Sequence, residues 1–170
     1  TAKVQILNMD ASVAWEKEAT VDSNEDTTNK CIKLAFPANL SKVHFIKMVL
    51  TENGKVVSDN FYHRSLEENN YQDLRQLAKV ALQSTTTVDK NADGTWSAVS
   101  VIENKTSTPA LMIRLNVVGS KDGQQLLPVF YSDNYFSLLP GEKKEVRMSW
   151  KDEDTRGNEG KVLITGYNVE

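Results

Sequence analysis

The pair Asn53-Gly54 constrains the fold of this chain more than any other local feature. It stands between two runs rich in β-branched and aromatic residues, KVHFIKMVLTE and KVVSDNFYHRS. A two-residue type I′ turn needs positive φ at both central positions, which Asn tolerates and Gly adopts freely. The pattern therefore predicts a tight antiparallel hairpin with its tip at Asn53-Gly54.

Alternation of apolar and polar side chains predicts strands along much of the remaining chain. The segments with this pattern are KVQILN and CIKLAF in the first half and GTWSAVSVIEN, ALMIRLNVV, EVRMSW and KVLITGYN in the second half. From Lys79 onward we count about seven strands in roughly 90 residues, which is the spacing of an immunoglobulin-like sandwich. The fold class is therefore predicted to be all-β.

In two of these segments, the side chains at every second position should face the core of the second sandwich. In ALMIRLNVV and EVRMSW the predicted core residues are Leu111, Ile113, Leu115, Val117, Val146, Met148 and Trp150. The lone Cys31 can form no internal disulfide, and we expect it to fill a core as a small apolar side chain.

One stretch between the two halves, SLEENNYQDLRQLAK, has helical character. Ser65 and Glu68 have the spacing of a capping box, and Tyr71, Leu74 and Leu77 would share one face of a helix. This stretch is interpreted as a short linker with a helical turn.

The chain is then predicted to consist of two immunoglobulin-like β-sandwich units joined by that linker. Their expected bounds are residues 1–64, 65–78 for the linker, and 79–170. The first unit is expected to be incomplete, because it supplies only about five strands where a sandwich of this class has about seven.

Composition argues against two classes of partner. The net charge is −3 and 25% of the residues are charged, so nothing attracts the chain broadly to nucleic acid or to an anionic membrane. No apolar run approaches the ~20 residues of a membrane span. We expect neither a nucleic-acid nor a membrane partner.

Some stretches resemble catalytic or metal-binding motifs without meeting their requirements. Residues 89–94 match the first half of a calcium-binding loop, but the twelfth position, which should be a bidentate Glu, is Ser100, so a hairpin turn is the better interpretation. Glu25 and Glu159 lie in polar segments with no apolar walls to raise a carboxyl pKa. Two histidines and one cysteine do not make a metal cluster. We predict no catalytic residue, no metal site and no cofactor.

Three motifs give a family resemblance. GKVVSDNFYHRS, YQDLRQL and PVFYSDNYFSLLPGEKKEV occur in this order and resemble the C-terminal region of glycoside hydrolase family 2 enzymes of the exo-β-glucosaminidase and β-mannosidase type. In one departure, His63 stands where the family usually has Trp. In a larger one, the (β/α)₈ barrel that carries the family's catalytic carboxylates has no counterpart in this strand pattern.

The resemblance implies a non-catalytic accessory segment that supports or orients a catalytic barrel of the same polypeptide. The parent would be a glycosidase acting on β-linked sugars, with a periplasmic or secreted location. It also implies that the first sandwich begins with strands upstream of Thr1, which would leave Val4, Ile6 and Phe45 uncovered. Two alternatives stay open: a carbohydrate-binding module, and an adhesion or scaffold sandwich unrelated to glycosidases.

The polar residues of SDNYF form the one candidate site. Tyr131, Asp133, Asn134 and Tyr135 are expected to hold a corner of the sandwich through local side-chain to backbone hydrogen bonds. The functional alternative is contact with a sugar or with the barrel, since Tyr stacks on sugar rings and Asp or Asn binds hydroxyls. The three tryptophans, Trp15, Trp96 and Trp150, are likewise interpreted as core residues, with sugar platforms as the alternative.

Overall fold

A computed structural model describes all 170 residues and is built almost entirely from antiparallel strands. The strands are β1 (Ala2–Asn8), β2 (Val13–Ala19), β3 (Val43–Glu52), β4 (Lys55–Ser65), β5 (Gln83–Lys90), β6 (Thr95–Glu103), β7 (Ala110–Gly119), β8 (Phe130–Tyr131), β9 (Phe136–Leu138), β10 (Lys143–Lys151) and β11 (Gly160–Thr165). Two short 3₁₀ turns cover Gln72–Gln76 and Asp152–Thr155. The chain divides into two compact units, Thr1–Leu77 and Ala78–Glu170. None of the helical turns is long and apolar enough to cross a membrane.

The first unit contains a single four-stranded sheet with the order β2-β1-β3-β4. Strands β3 and β4 form the predicted hairpin, since β3 ends at Glu52 and β4 begins at Lys55. Between them Asn53 has φ +50° and Gly54 has φ +76°. Both central residues therefore take the left-handed conformation that a type I′ turn requires, and this prediction is confirmed.

The two inner strands of this sheet bury side chains on both faces. Ile6 of β1 lies opposite Ile46 of β3 on one face, and Leu7 lies opposite Phe45 on the other. All four are at most 9% exposed, and Val4 is 6% exposed. The expectation that Val4, Ile6 and Phe45 would be uncovered is therefore wrong.

The segment CIKLAF is not a strand, which corrects another expectation. Residues 20–42 contain no strand, and Cys31 is exposed, so it does not fill a core. Alternation specifies which side chains share a face but provides no neighbouring strand to pair with. Pro37 follows directly and has no N–H to donate to a ladder. In contrast β2, VAWEKEA, has no buried residue and is a strand that the pattern did not single out.

The connection between the halves contains one helical turn, as expected, but without the predicted capping box. Its regular part is the 3₁₀ turn Gln72–Gln76, which buries none of its residues and has no side-chain cap. Ser65 Oγ accepts a hydrogen bond from the Glu67 N–H at 3.2 Å, so Ser65 stabilises a local turn instead of a capping box with Glu68. Short polar side chains bond nearby backbone in this way outside helices as well.

The second unit has the seven predicted strands in two sheets, β5-β6-β10-β8 and β11-β7-β9. Apolar side chains of both sheets meet between them in one cluster, as expected for a sandwich. Its buried members are Val80, Ala98, Ile102, Ala110, Ile113, Leu115, Val117, Leu126, Phe136, Leu138, Val146, Met148 and Trp150. Six of the seven predicted core residues belong to this cluster.

The seventh, Leu111, lies outside the cluster because β7 is irregular at its start. Met112 has φ +53°, and the pairing of β7 with β9 shifts register between Ala110 and Ile113. The extra residue turns Ala110, instead of Leu111, toward the side occupied by Ile113. Leu111 is still buried, at 1% exposure, and its N–H donates to Asn168 Oδ1 at 3.0 Å.

Candidate functional site

The candidate residues Tyr131, Asp133, Asn134 and Tyr135, here called the corner cluster, lie where the chain crosses between the two sheets of the second unit. Tyr131 ends β8 in one sheet, and Phe136 begins β9 in the other. The connection must therefore supply hydrogen bonds to edges that no regular strand covers.

Asn134 pairs with the backbone of β7 as a residue of a neighbouring strand would. Its Oδ1 accepts from the Leu115 N–H at 2.8 Å, and its Nδ2 donates to the Leu115 carbonyl at 3.0 Å. The same Oδ1 also accepts from the Tyr135 N–H at 3.1 Å. One side-chain amide thus satisfies both polar groups of Leu115.

Tyr131 continues this pairing by one step along β7. Its hydroxyl oxygen accepts a hydrogen bond from the Val117 N–H at 3.2 Å, and its ring packs against the core. Burial raises the pKa of the Tyr131 hydroxyl above its usual value, because the phenolate would lose solvation. The Val117 carbonyl accepts from the Leu126 N–H at 3.0 Å, which completes the edge of β7.

Asp133 links the corner cluster to β10 through an ion pair. Its Oδ1 accepts from the Asn134 N–H at 2.7 Å, and its carboxylate forms an ion pair with Lys144. The Lys144 ammonium also lies 5.1 Å from the centre of the Phe136 ring. The neighbouring Ser132 exchanges two hydrogen bonds with the Arg147 backbone, one through its own N–H and one through its Oγ.

Tyr135 differs from the other three members of the cluster. It has φ +58°, and 55% of its surface is exposed. The Arg114 guanidinium lies 5.8 Å from the centre of its ring. Tyr135 is therefore the member of the cluster whose side chain is presented to solvent.

The turn at Pro140-Gly141, which follows the cluster, is held by Asn104, a residue that the sequence analysis did not identify. Asn104 is fully buried, and its Nδ2 donates to the carbonyls of Thr108 and Leu138 at 2.8 and 3.0 Å. The Asn104 carbonyl accepts from the Gly141 N–H at 2.7 Å. The sequence around Asn104 reads as a glycosylation sequon, but both amide hydrogens of this side chain are used inside the fold. A polar residue at the end of an apolar strand was the available signal.

Two of the tryptophans form a parallel pair in the second unit. The rings of Trp96 and Trp150 are 6.4 Å apart at an interplanar angle of 4°. Trp150 is 2% exposed, as predicted for a core residue, and Trp96 Nε1 donates to Asp152 Oδ1 at 2.7 Å. Trp15 is partly buried on β2.

The motif that resembles a calcium loop is the turn between β5 and β6. Asp93 Oδ1 accepts from both the N–H and the Oγ1 of Thr95, at 3.0 and 2.6 Å, and these bonds lower the pKa of the Asp93 carboxyl. Gly94 has φ +81°, and Ser100 is fully buried. The hairpin interpretation is confirmed.

The carboxylates set aside earlier lie at the surface. Glu25 and Glu159 are exposed, and they belong to different units. Across the 170 described residues, no group of three or more His, Cys, Asp or Glu side chains could hold a metal ion.

The fold and the corner cluster together define an immunoglobulin-like β-sandwich in which the most polar motif joins the sheets. A family model described as the exo-β-D-glucosaminidase Ig-fold domain matches residues 60–169. The chain belongs to this family. Its matched part corresponds to the Ig-fold domain of exo-β-D-glucosaminidases.

Known relatives are much longer than this chain. An exo-β-D-glucosaminidase of Streptomyces avermitilis is 30% identical over an alignment that includes 99% of this chain and 21% of that protein. One from Hypocrea jecorina is also 30% identical, with the same coverage of 99% and 21%. The crystal structure of the Amycolatopsis orientalis exo-chitosanase CsxA matches 99% of this chain and 22% of its own, at 25% identity and a TM-score of 0.80. The chain thus spans about one fifth of the proteins it matches.

Proposed function

We propose that this chain supports or orients the catalytic barrel of a parent exo-glycosidase that acts on β-linked glucosamine. The observation that carries the supporting role is the use of the corner cluster. The side chains of Asn134 and Tyr131 form hydrogen bonds with the backbone of β7, and the carboxylate of Asp133 forms an ion pair with Lys144. The most site-like motif of the chain is therefore a structural joint, as expected for a segment that does no chemistry.

The glucosamine specificity rests on the relatives. The matched proteins from Streptomyces avermitilis and Hypocrea jecorina are both exo-β-D-glucosaminidases. The sequence motifs equally allow a β-mannosidase parent, but neither of these two relatives is a β-mannosidase. A periplasmic or secreted location is proposed from the family resemblance alone.

An apolar surface beside β8 is the proposed contact with the barrel. Phe130 is 70% exposed and Leu127 is 65% exposed, although both are large apolar side chains. Large exposed apolar residues grouped on one surface mark interaction sites in soluble proteins. In a segment of a longer polypeptide, another part of the same polypeptide is the nearest available partner.

The test compares the full-length parent enzyme with its Phe130→Ser variant, on chromogenic β-glucosaminide and β-mannoside. We expect turnover of the glucosaminide by the wild type, and a lower melting temperature and reduced activity in the variant. Val88→Ser, at a position that is 36% exposed on β5, is the matched control and should change neither. The isolated chain should release no chromophore. Turnover by the isolated chain, or a Phe130 variant identical to wild type, would refute the proposal.

A carbohydrate-binding module is the second candidate, and Tyr135 is the observation that favours it. Its exposed ring stands next to the Arg114 guanidinium, which can donate hydrogen bonds to sugar hydroxyls. Retardation of the isolated chain on a chitosan affinity gel, abolished by Tyr135→Ala, would support this function. Equal mobility of both proteins with and without the polysaccharide would exclude it.

A further inference from the structure

His44 of β3 is a titratable side chain enclosed in the first unit. It is fully buried and lies between Asn8 of β1 and Arg64 of β4, its direct neighbours in the sheet. Residues 36–41, here called the strap, contact it from outside the sheet. The Phe36 ring meets the imidazole edge-on with 6.1 Å between ring centres.

The strap is held by a few hydrogen bonds and by the side chain of Leu40, which is 8% exposed. The Ser41 N–H donates to Asn8 Oδ1 at 2.9 Å, and Ser41 Oγ accepts from the Met9 N–H at 2.9 Å and donates to the Val43 carbonyl at 2.6 Å. At its other end the strap is held by Phe36, whose ring centre lies 4.1 Å from the Arg64 guanidinium carbon. No part of the strap belongs to a strand.

The hydrogen bonds of His44 fit only the neutral ring. Nδ1 lies 3.3 Å from the Ser41 carbonyl oxygen, which can only accept, so Nδ1 carries the proton of the neutral imidazole. Nε2 is buried and has no hydrogen-bond partner. A second proton on Nε2 would therefore be a buried donor without an acceptor on a charged ring, which is costly.

The charges around His44 also disfavour a cation. Arg64 faces it from β4, Asn8 on β1 is neutral, and the strap carries no charged residue. Lys42 is the nearest charged residue on the same chain segment, and it is paired with Glu67 at 2.9 Å. Burial lowers the pKa of His44, and the positive charge of Arg64 adds to this effect, while the bond to the Ser41 carbonyl opposes it.

We propose that the strap is an acid-sensitive cover. When His44 is protonated, the strap opens and moves away from the sheet. In the closed state the ring has no place for a second proton. In the open state water solvates the imidazolium and screens it from the charge of Arg64. Acidification thus uncovers the face of the first sheet on which His44 and Ile46 lie.

The expected pH dependence follows from the proton count. In the open state His44 titrates near its ordinary pKa of about 6.5. Below that pH the open state binds a proton that the closed state refuses, so the opening equilibrium rises by up to about tenfold for each pH unit. Above about pH 7.5 opening should not depend on pH.

Hydrogen exchange of the backbone amides of the full chain tests this, from about pH 7.5 down to about pH 5, with the intrinsic pH dependence of exchange divided out. Protection of the Ser41 amide, which donates to Asn8 Oδ1, should fall by up to about tenfold per pH unit below about 6.5. His44→Asn keeps a donor near the Ser41 carbonyl but cannot titrate, and its strap should show flat protection. His63→Asn is the matched control: His63 lies opposite Phe45 on the other face of the sheet, and its variant should open like the wild type.

Three results would overturn the proposal: flat protection in the wild type, the same pH dependence in His44→Asn, or its loss in His63→Asn. If His44→Asn does not fold, nuclear magnetic resonance of the wild type decides instead. The His44 ring signals and the amide shifts of the strap should then change with one midpoint. Separate midpoints would show that protonation and opening are unrelated.

Discussion

The side-chain amide of Asn134 makes two hydrogen bonds to the backbone of Leu115, one in each direction, at 2.8 and 3.0 Å. A strand residue would make the same pair of bonds in an antiparallel ladder. The side chain therefore extends the sheet where the backbone of β9 no longer reaches, and the loss of this amide should be felt by β7.

Asn134→Ala should lower the free energy of unfolding of the second unit by about 2 kcal/mol, because it leaves both polar groups of Leu115 without their partner. Asn134→Asp places a carboxylate oxygen opposite the Leu115 carbonyl oxygen, so its loss should be larger at neutral pH than at a pH that protonates the carboxyl. Urea titration of each variant measures the change. Ser149→Ala, at an exposed position of β10, is the control and should stay within about 0.5 kcal/mol. A loss in Asn134→Ala no greater than in this control would contradict the strand-like role.

Tyr131 should make the second unit sensitive to alkali. Burial raises the pKa of its hydroxyl, so the folded state keeps a proton that the unfolded state releases near its ordinary pKa of about 10. The stabilisation is complete below that pH and is lost as the pH rises through the folded-state pKa. Tyr131→Phe should cost about 1 kcal/mol at neutral pH, through the lost bond to Val117, and should flatten this alkaline decline. Thermal melts between about pH 8 and about pH 11 test both effects, and a decline equally steep in the variant would count against the assignment.

His63 should make the first unit sensitive to acid for a related reason. Its ring packs edge-on against Phe45 and Phe61, at 5.5 and 5.6 Å between centres, and burial lowers its pKa. The unfolded state therefore binds a proton below about pH 6.5 that the folded state refuses, and stability falls as the pH drops. His63→Phe removes this group and should reduce the loss between about pH 7.5 and about pH 5. Urea midpoints from first-unit amide signals measure it, and an unchanged loss in the variant would show that the ring is solvated.

Gly160 should tolerate no larger side chain. A Cβ built on this residue lies 2.5 Å from Cζ2 of the buried Trp150 ring and 3.1 Å from Val117 Cγ1. Since neither neighbour can leave the core, Gly160→Ala should lower the free energy of unfolding by about 1–3 kcal/mol. Lys161→Ala, at the next and exposed position of β11, is the control for a substitution in the same strand that meets no core side chain, and it should have little effect. A Gly160→Ala protein as stable as this control would mean that the indole can move aside.

Local signals were the ones that could be interpreted correctly from sequence. The hairpin at Asn53-Gly54 and the Asp93-Gly94 turn depend on backbone conformations that few residues adopt, so two letters predict them. The alternation in EVRMSW places three side chains in the core because β10 is regular and paired on both sides. The local bonds of the corner match the expectation, since Asp133 and Asn134 each accept from the next backbone N–H, whereas the bonds of Asn134 and Tyr131 to β7 were not foreseen.

What failed depended on partners distant in the chain. CIKLAF alternates like a strand, yet no strand pairs with it. Leu111 has the right parity, but the left-handed Met112 shifts the register by one residue. Asn104 and Asn168 can be buried because their side-chain amides donate hydrogen bonds to backbone carbonyls of distant segments. The local sequence does not indicate which distant carbonyls those are.

The side chains along β7 also decide how this domain behaves toward other proteins. An uncovered strand edge is a template on which foreign strands can assemble, and natural sheets protect such edges to avoid aggregation. Because Asn134 occupies both polar backbone groups of Leu115, and Tyr131 and Leu126 occupy those of Val117, no incoming strand can add to the sandwich there. A partner that meets this edge of the domain would have to bind through side chains instead of through strand addition.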